Sequence, residues 1–310
     1  MAWIARSEHV VPYRYALAAG RICRQRFPEI HFAAHLLPRP QRNAVLCLAA
    51  AVDQVQQIIH PPAPTEHPDA ASSSCGSGCC GCHGGDERRR IALAVIDHLY
   101  RGEPTGKPEL DGFLLVLKAY RVPSEPFQTA IDAALEHAGR VRYATWSSLY
   151  DMCRRTAGPF ASLALPILAP GADTTAHTQA ISLAAAMRAT HLLLHAGEEG
   201  RAGRVTVPLD DLVRFGLTDR QWLAFAQARE GHDERLTALV RFQIERLSNL
   251  FAGGLKCRNA IDNPRIRRAI ARLADDYIHT LQRIESGTID IFDFKSEPRD
   301  LWQRVCDMLK

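Results

Sequence analysis

His191 and His195 stand four residues apart, and Glu198 and Glu199 follow within one more turn. Residues at i and i+4 share a helical face. Imidazole and carboxylate groups converging there would suit a transition metal such as Zn, Fe, Cu or Ni, and His31 and His35 repeat the same spacing. The bland counterpart is a set of core histidines that hold hydrogen bonds. A second donor group is denser: Cys75, Cys79, Cys80, Cys82 and His83 fall within nine residues. Crowded thiolates and imidazole could close around zinc or copper(I), although the spacing follows no zinc-finger pattern. Here the alternative is a linker with incidental cysteines.

The elements that must position these residues are helices. Apolar residues recur at helical spacing along nearly the whole chain, as in Leu236, Leu239, Val240, Ile244, Leu247 and Leu250. The pattern predicts helices over residues 12–27, 40–60, 87–101, 109–121, 125–140, 145–168, 174–199, 219–230, 233–253, 260–286 and 297–309. Only Arg204 to Val207 alternates like a strand, too briefly to build a sheet. Residues 61–86, with four prolines, five glycines and no apolar period, read as a flexible insert in a single domain spanning 1–310.

Composition narrows the function classes. The chain has 310 residues, 46% hydrophobic and 23% charged, enough for a real core without metal or disulfide staples. A net charge of +4, spread along the chain, argues against nucleic acid as a partner. Apolar runs such as Ala44–Val52 fall short of the roughly 18 to 20 residues that span a bilayer. A charged N-terminus lacks the core of a signal peptide, so a cytoplasmic location is expected. Cys23, Cys47, Cys153, Cys257 and Cys306 sit singly in helical patterns and read as reduced core residues. Arg88, Arg89 and Arg90 read as the start of a solvated helix, with peripheral contact to an anionic membrane as the alternative.

Several ordered segments resemble one family. His31-Phe32 through Leu36-Leu37-Pro38-Arg39 to Arg42, leading to Asp53, is similar to a segment S-F-x-x-x-x-L-L-P-x-x-x-R that precedes an aspartate helix. Arg142-Tyr143-Ala144-Thr145, with Tyr150 to Pro159, resembles R-Y-A-T/D and Y-C-R-x-x-A-x-P-V-G. Glu198-Glu199 with Gly203-Arg204-Val205-Thr206-Val207-Pro208 resembles E-D-x-x-x-G-R-x-Y-L-P, and Tyr277 to Phe294 resembles a final Y-x-x-I-L-x-x-I-E helix. The family is that of the squalene and phytoene synthases, nearest its hopanoid-pathway hydroxysqualene branch. The resemblance implies an all-α isoprenoid-synthase-type helical bundle with a central cavity. It also implies a transferase that ionises prenyl diphosphates with Mg²⁺ held between two facing aspartate helices.

This chain departs from the pattern at the acidic positions. The first D-x-x-x-D reads Asp53 and Gln57, and the second motif reads His191, His195, Glu198 and Glu199. The serine before the phenylalanine is His31, the aspartate before R-Y falls near Glu136 and His137, and the two motif tyrosines become Met152 and Thr206. Imidazole is a poor magnesium ligand, so the full family complement of Mg²⁺ is not expected, and Zn, Fe or Mn would suit the altered set better. The resemblance implies catalytic roles for Asp53, Glu198 and Glu199, while the residue types and spacing themselves suggest a metal set of His191, His195, Asp53 and Glu199. It further implies diphosphate contacts from Arg39, Arg42, Arg201 and Arg204, and leaves a need for NADPH open. The leading expectation is a divergent enzyme acting on a prenyl diphosphate or a related isoprenoid lipid. The alternatives are a non-catalytic lipid-binding protein or partner subunit of the same fold, and a histidine–carboxylate metalloenzyme with new chemistry.

Overall fold

Prolines and short polar caps set where the helices begin. Pro28, Pro108 and Pro264 each stand at a helix start, where the missing N–H leaves nothing unsatisfied. The side chains of Thr145, Asp173, Asp233 and Asn263 accept hydrogen bonds from the first-turn N–H groups of the helices they precede.

The computed structural model describes residues 11–59, 80–228 and 233–294. These form helices α1 (Tyr13–Arg26), α2 (Pro28–His35), α3 (Arg39–Ile59), α4 (Cys80–Tyr100), α5 (Pro108–Tyr120), α6 (Glu125–Gly139) and α7 (Trp146–Leu168). They continue as α8 (Thr174–Leu194), α9 (Ala196–Arg201), α10 (Leu209–Arg214), α11 (Asp219–Ala228), α12 (Glu234–Gly254) and α13 (Pro264–Glu285), with a 3₁₀ turn at Leu255–Ala260. Among the described residues, Arg204–Val207 forms no strand; an isolated parallel bridge joins Tyr143 to Pro208.

The buried apolar residues form two clusters. One joins Ala19, Leu48, Ile96, Phe113 and Ile131 to Leu163 and Ile167 at the end of α7. The other joins Leu149 and Cys153 at the start of α7 to Leu183, Leu192, Trp222, Phe251 and Leu281. Helix α7 therefore runs through both halves, packed on α3 and α6 on one side and α8 on the other. The α7–α8 approach is close: a Cβ on Gly158 would come within 2.8 Å of Ile181. Cys23, Cys47, Cys153 and Cys257 are buried free thiols as expected, and burial pushes the first three up to about 12, which makes them poor nucleophiles.

The structure corrects several element boundaries. Helix α2 was not anticipated, because Phe27-Pro28 reads as a break and is instead a break followed by a proline-led restart. The helix expected from residue 87 begins at Cys80, so the end of the predicted insert, with Cys80, Cys82 and His83, is helical. Cys75, Cys79, the rest of the insert and the helix predicted at 297–309, with Cys306, lie outside the described residues. The helix predicted over 174–199 divides at His195.

Candidate functional site

Asp53 lies in the middle of α3 and is only 2% exposed. A buried carboxylate needs partners, and here both oxygens have them. Oδ1 accepts from Arg26 Nε of α1 at 2.9 Å, and Oδ2 accepts from Gln57 Nε2 one turn along α3 at 2.5 Å. Gln57, the amide that stands where a second carboxylate was expected, thus closes the first one.

The break after α8 is set by a tertiary contact. In a continuous helix the Gly197 N–H would return to Leu193; it donates instead to the Ile291 carbonyl at 2.9 Å. Only glycine fits there, since a Cβ would lie 2.7 Å from Phe292 Cα. The bend leaves the His191 and His195 rings together, with centroids 4.2 Å apart, while His195 Nδ1 lies 2.9 Å from Glu198 Oε2 and its ring meets the edge of Phe294. Glu199 accepts from Arg204 Nε, and the Arg204 N–H donates to the Glu199 carbonyl at 2.9 Å.

The Gly-Arg turn is also held from the other side. Arg142 donates to the Gly203 carbonyl at 2.7 Å and pairs with Asp219 at 3.1 Å, while the Val205 N–H reaches the Val141 carbonyl. Arg201 Nη1 donates to two backbone carbonyls, Phe292 at 2.9 Å and Ala226 at 3.2 Å. Arg39 and Arg42 sit in the first turn of α3, well before Asp53, and form no ion pair among the described residues. The eleven residue steps from Arg42 to Asp53 correspond to about 16 Å of helix.

Two members of a further group, Arg188 and Glu29, were not anticipated from sequence. His191 is exposed, yet desolvation, with help from Arg188 and His195, lowers its imidazole to about 3. Its ring is thus open to solvent on one side and surrounded by protein on the other. Glu29 and Tyr277 behave alike: both are half-buried, and desolvation raises both. Helix α13 packs on α2 and on α8, which brings these three walls together. His31 on α2 is likewise lowered, to about 4, by desolvation and then by His35. Into this region projects Arg188, three residues before His191 and so on the same face. Its Nη2 lies 3.3 Å from His137 Nε2, whose other nitrogen meets Tyr143 Oη at 2.5 Å. Its Nε is buried without a partner, and Arg188 makes no ion pair among the described residues. The i,i+3 spacing to His191 was the available signal; what it could not convey was that Arg188 forms no ion pair among the described residues.

Magnesium requires several free oxygen ligands in octahedral array. Three of the carboxylates here are already matched to arginines, Asp53 to Arg26, Glu199 to Arg204, and Asp276 to Arg272 at 2.9 Å. No group of three or more His, Cys, Asp or Glu side chains among the described residues is placed to hold a metal ion. The arrangement does not fit the ions that the family resemblance implies.

Comparison with known proteins bears on the whole chain. Residues 24–305 match the family model for squalene/phytoene synthase. The chain is 25% identical over 236 residues to 15-cis-phytoene synthase of Synechococcus elongatus, covering 69% of this chain and 70% of that protein. It is 23% identical over 291 residues to the Synechocystis 15-cis-phytoene synthase, covering 89% and 77%. Among solved structures, squalene synthase HpnC from Alicyclobacillus acidocaldarius superposes with a TM-score of 0.71 at 20% identity, covering 90% of this chain and 97% of that one. A dehydrosqualene synthase in complex with ligand superposes at 0.73 and 18% identity, covering 95% and 96%. The expected all-α isoprenoid-synthase-type fold is therefore the fold of this chain.

Proposed function

Because the chain belongs to the squalene/phytoene synthase family, we propose that it is a divergent enzyme of that family, a prenyltransferase-like transferase acting on a prenyl diphosphate or a related isoprenoid. The observation that carries this reading is Arg188: a half-buried guanidinium without an ion pair among the described residues, beside the neutral His191 on the cleft wall. An unmatched cation in a desolvated site favours an anion strongly, and guanidinium matches phosphate oxygens in pairs. Arg204, held at the Gly-Arg turn, is the second anion contact in this reading, and Glu198 and Glu199 orient that turn. The α2, α8 and α13 walls would house the hydrocarbon chain away from water. Incubation with farnesyl and geranylgeranyl diphosphates, with Mg²⁺ and separately with Zn²⁺, Fe²⁺ or Mn²⁺, followed by product analysis, tests it. Turnover in any arm supports the enzyme; no turnover and no affinity in every arm removes it.

One observation favours a second reading, a non-catalytic isoprenoid-binding partner subunit. The Arg26–Asp53–Gln57 contacts close the carboxylate that the family resemblance assigns to metal. Affinity for the diphosphates without turnover, together with co-purification with a family member that keeps both aspartate motifs, would select it. The histidine–carboxylate metalloenzyme has only the His191–His195 pair in its favour, and metal content unchanged in His191→Ala and His195→Ala variants would eliminate it.

A further inference from the structure

Helix α1 carries Arg14, Arg21, Arg24 and Arg26 and no acidic residue. The small residues Ala16, Ala19 and Cys23 form its buried side, by which it packs on α3 and α5. The opposite side is open. Tyr13 and Leu17, one turn apart, are 65% and 43% exposed, and Arg14, Arg21 and Arg24 are exposed with them. At roughly 100° per residue these five side chains share one strip about 100° wide along the helix.

The positive charge of this strip is not answered by carboxylates of the chain. Arg14, Arg21 and Arg24 form no ion pair among the described residues, whereas Arg26 pairs with the buried Asp53. Arg14 lies over the Tyr15 ring, 4.7 Å from its centroid, and donates to the Tyr15 hydroxyl at 2.9 Å. Asp53 and Glu29, the carboxylates that act on α1 from α3 and α2, do so at Cys23 on the buried side. Arg39 extends the charge at the Tyr13 end: it is exposed, and it stands one turn before Asn43, whose amide donates to the Val11 carbonyl at 3.3 Å. The basic triplet at the start of α4 is different. There Arg89 pairs with Asp132 and Arg90 with Glu87, both at 2.7 Å, and Arg88 donates to the Ile59 carbonyl at 3.4 Å.

The structure assigns the exposed strip of α1 to docking on an anionic lipid bilayer. A helix that lies in a bilayer interface sets apolar tips among basic groups, so that the tips enter beneath the headgroups while the guanidinium groups meet the phosphates. Nucleic acid would match the arginines and leave Leu17 in water. An acidic protein would match the charge but needs a shaped cavity for each tip; a fluid bilayer needs none. With only two tips the attachment is weak, reversible and salt-sensitive. Helix α1 leads directly into α2, one wall of the proposed isoprenoid site, but the docking does not depend on that reading.

Co-sedimentation of the full chain with vesicles of phosphatidylcholine alone, and of phosphatidylcholine and phosphatidylglycerol in equal parts, tests the assignment. No isoprenoid is present, so the result is independent of any turnover or diphosphate affinity. Saturable binding to the anionic vesicles is expected, at least tenfold weaker on the neutral ones and weakened by salt. Each arginine near an anionic surface contributes about fivefold, so Arg21→Gln/Arg24→Gln should weaken binding tenfold or more. Leu17→Gln, which keeps the charge, should weaken it about threefold. Arg220→Gln/Arg241→Gln, which removes two exposed arginines from α11 and α12, should leave it within about twofold. Circular dichroism melting checks that each variant folds. Equal affinity for both vesicle types overturns the proposal, as does an equal loss in the two double variants. Unchanged binding in Leu17→Gln, with tight binding to polyglutamate, would assign the strip to an acidic protein and overturn it too. If Arg21→Gln/Arg24→Gln does not fold, Leu17→Gln decides, and an unchanged affinity there is contradictory.

Discussion

Arg26 and Asp53, on adjacent helices and 27 positions apart in the chain, form a 2.9 Å ion pair in which the acid is 2% exposed and the base 54%. The acid is the residue around which the family resemblance builds a metal site, and in the structure a guanidinium is paired with it. Replacing the base should therefore unbalance a buried acid. Arg26→Met is expected to lower stability by about 1–3 kcal/mol, the range for an unsatisfied buried acceptor, measured by urea denaturation. Gln57→Leu should act in the same direction, and unchanged midpoints for both would show that Asp53 does not depend on them.

Arg201 and Arg204 are predicted to separate. Arg204→Met should weaken prenyl diphosphate binding about tenfold or more, since hydrogen bonds to charged groups contribute roughly 1.5–3 kcal/mol. Arg201→Met should leave that affinity within about twofold and instead lower the melting temperature, because its guanidinium holds the Ala226 and Phe292 carbonyls. Fluorescence binding and thermal melting on both variants read the difference.

Stability should fall on acidification partly through His191. Its folded-state value is about 3, below the ordinary 6.5, with Arg188 and His195 facing it. A depressed histidine contributes fully above about pH 6.5; as pH falls the unfolded chain takes up a proton that the folded chain refuses, so the contribution is lost down to about pH 3. His31 acts in the same sense down to about pH 4. Glu29, whose value is raised by burial, acts in the opposite sense. The difference between wild type and His191→Gln isolates the first of these. The variant should lose less melting temperature than wild type between pH 7 and pH 5, and an equal loss would contradict the cleft environment assigned to His191.

Gly197→Ala should be disruptive out of proportion to one methyl group. The new carbon would meet backbone at Phe292, and backbone cannot move aside as a flexible side chain does. A loss of roughly 1–3 kcal/mol is expected, as for overpacking, with chemical denaturation as the measure.

Much of this fold was legible because helical periodicity is local. Helix α7 is predicted at 145–168 and found at Trp146–Leu168, and α12 is predicted at 233–253 and found at Glu234–Gly254. What escaped depends on distant partners. The bend at His195 arises because Gly197 bonds to Ile291, nearly a hundred residues away. The His191–His195 pairing was legible from spacing and survives the bend. The closure of Asp53 by Arg26 was not, because no short-range pattern joins α1 to α3. Arg188 was passed over because the sequence displays a charge without showing whether it has a partner.

In the proposed function, Arg188 and the groups around it are the place where an isoprenoid diphosphate is held. Equilibrium binding of radiolabelled geranylgeranyl diphosphate to wild type, Arg188→Lys and Arg188→Met, with each divalent metal and with chelator, measures this most directly, with released diphosphate counted in the same samples. The predicted result is saturable binding to wild type, a loss of tenfold or more in Arg188→Met with partial recovery in Arg188→Lys, and diphosphate release in at least one metal arm. No saturable binding and no release in any arm, or equal affinity in all three proteins, would contradict it.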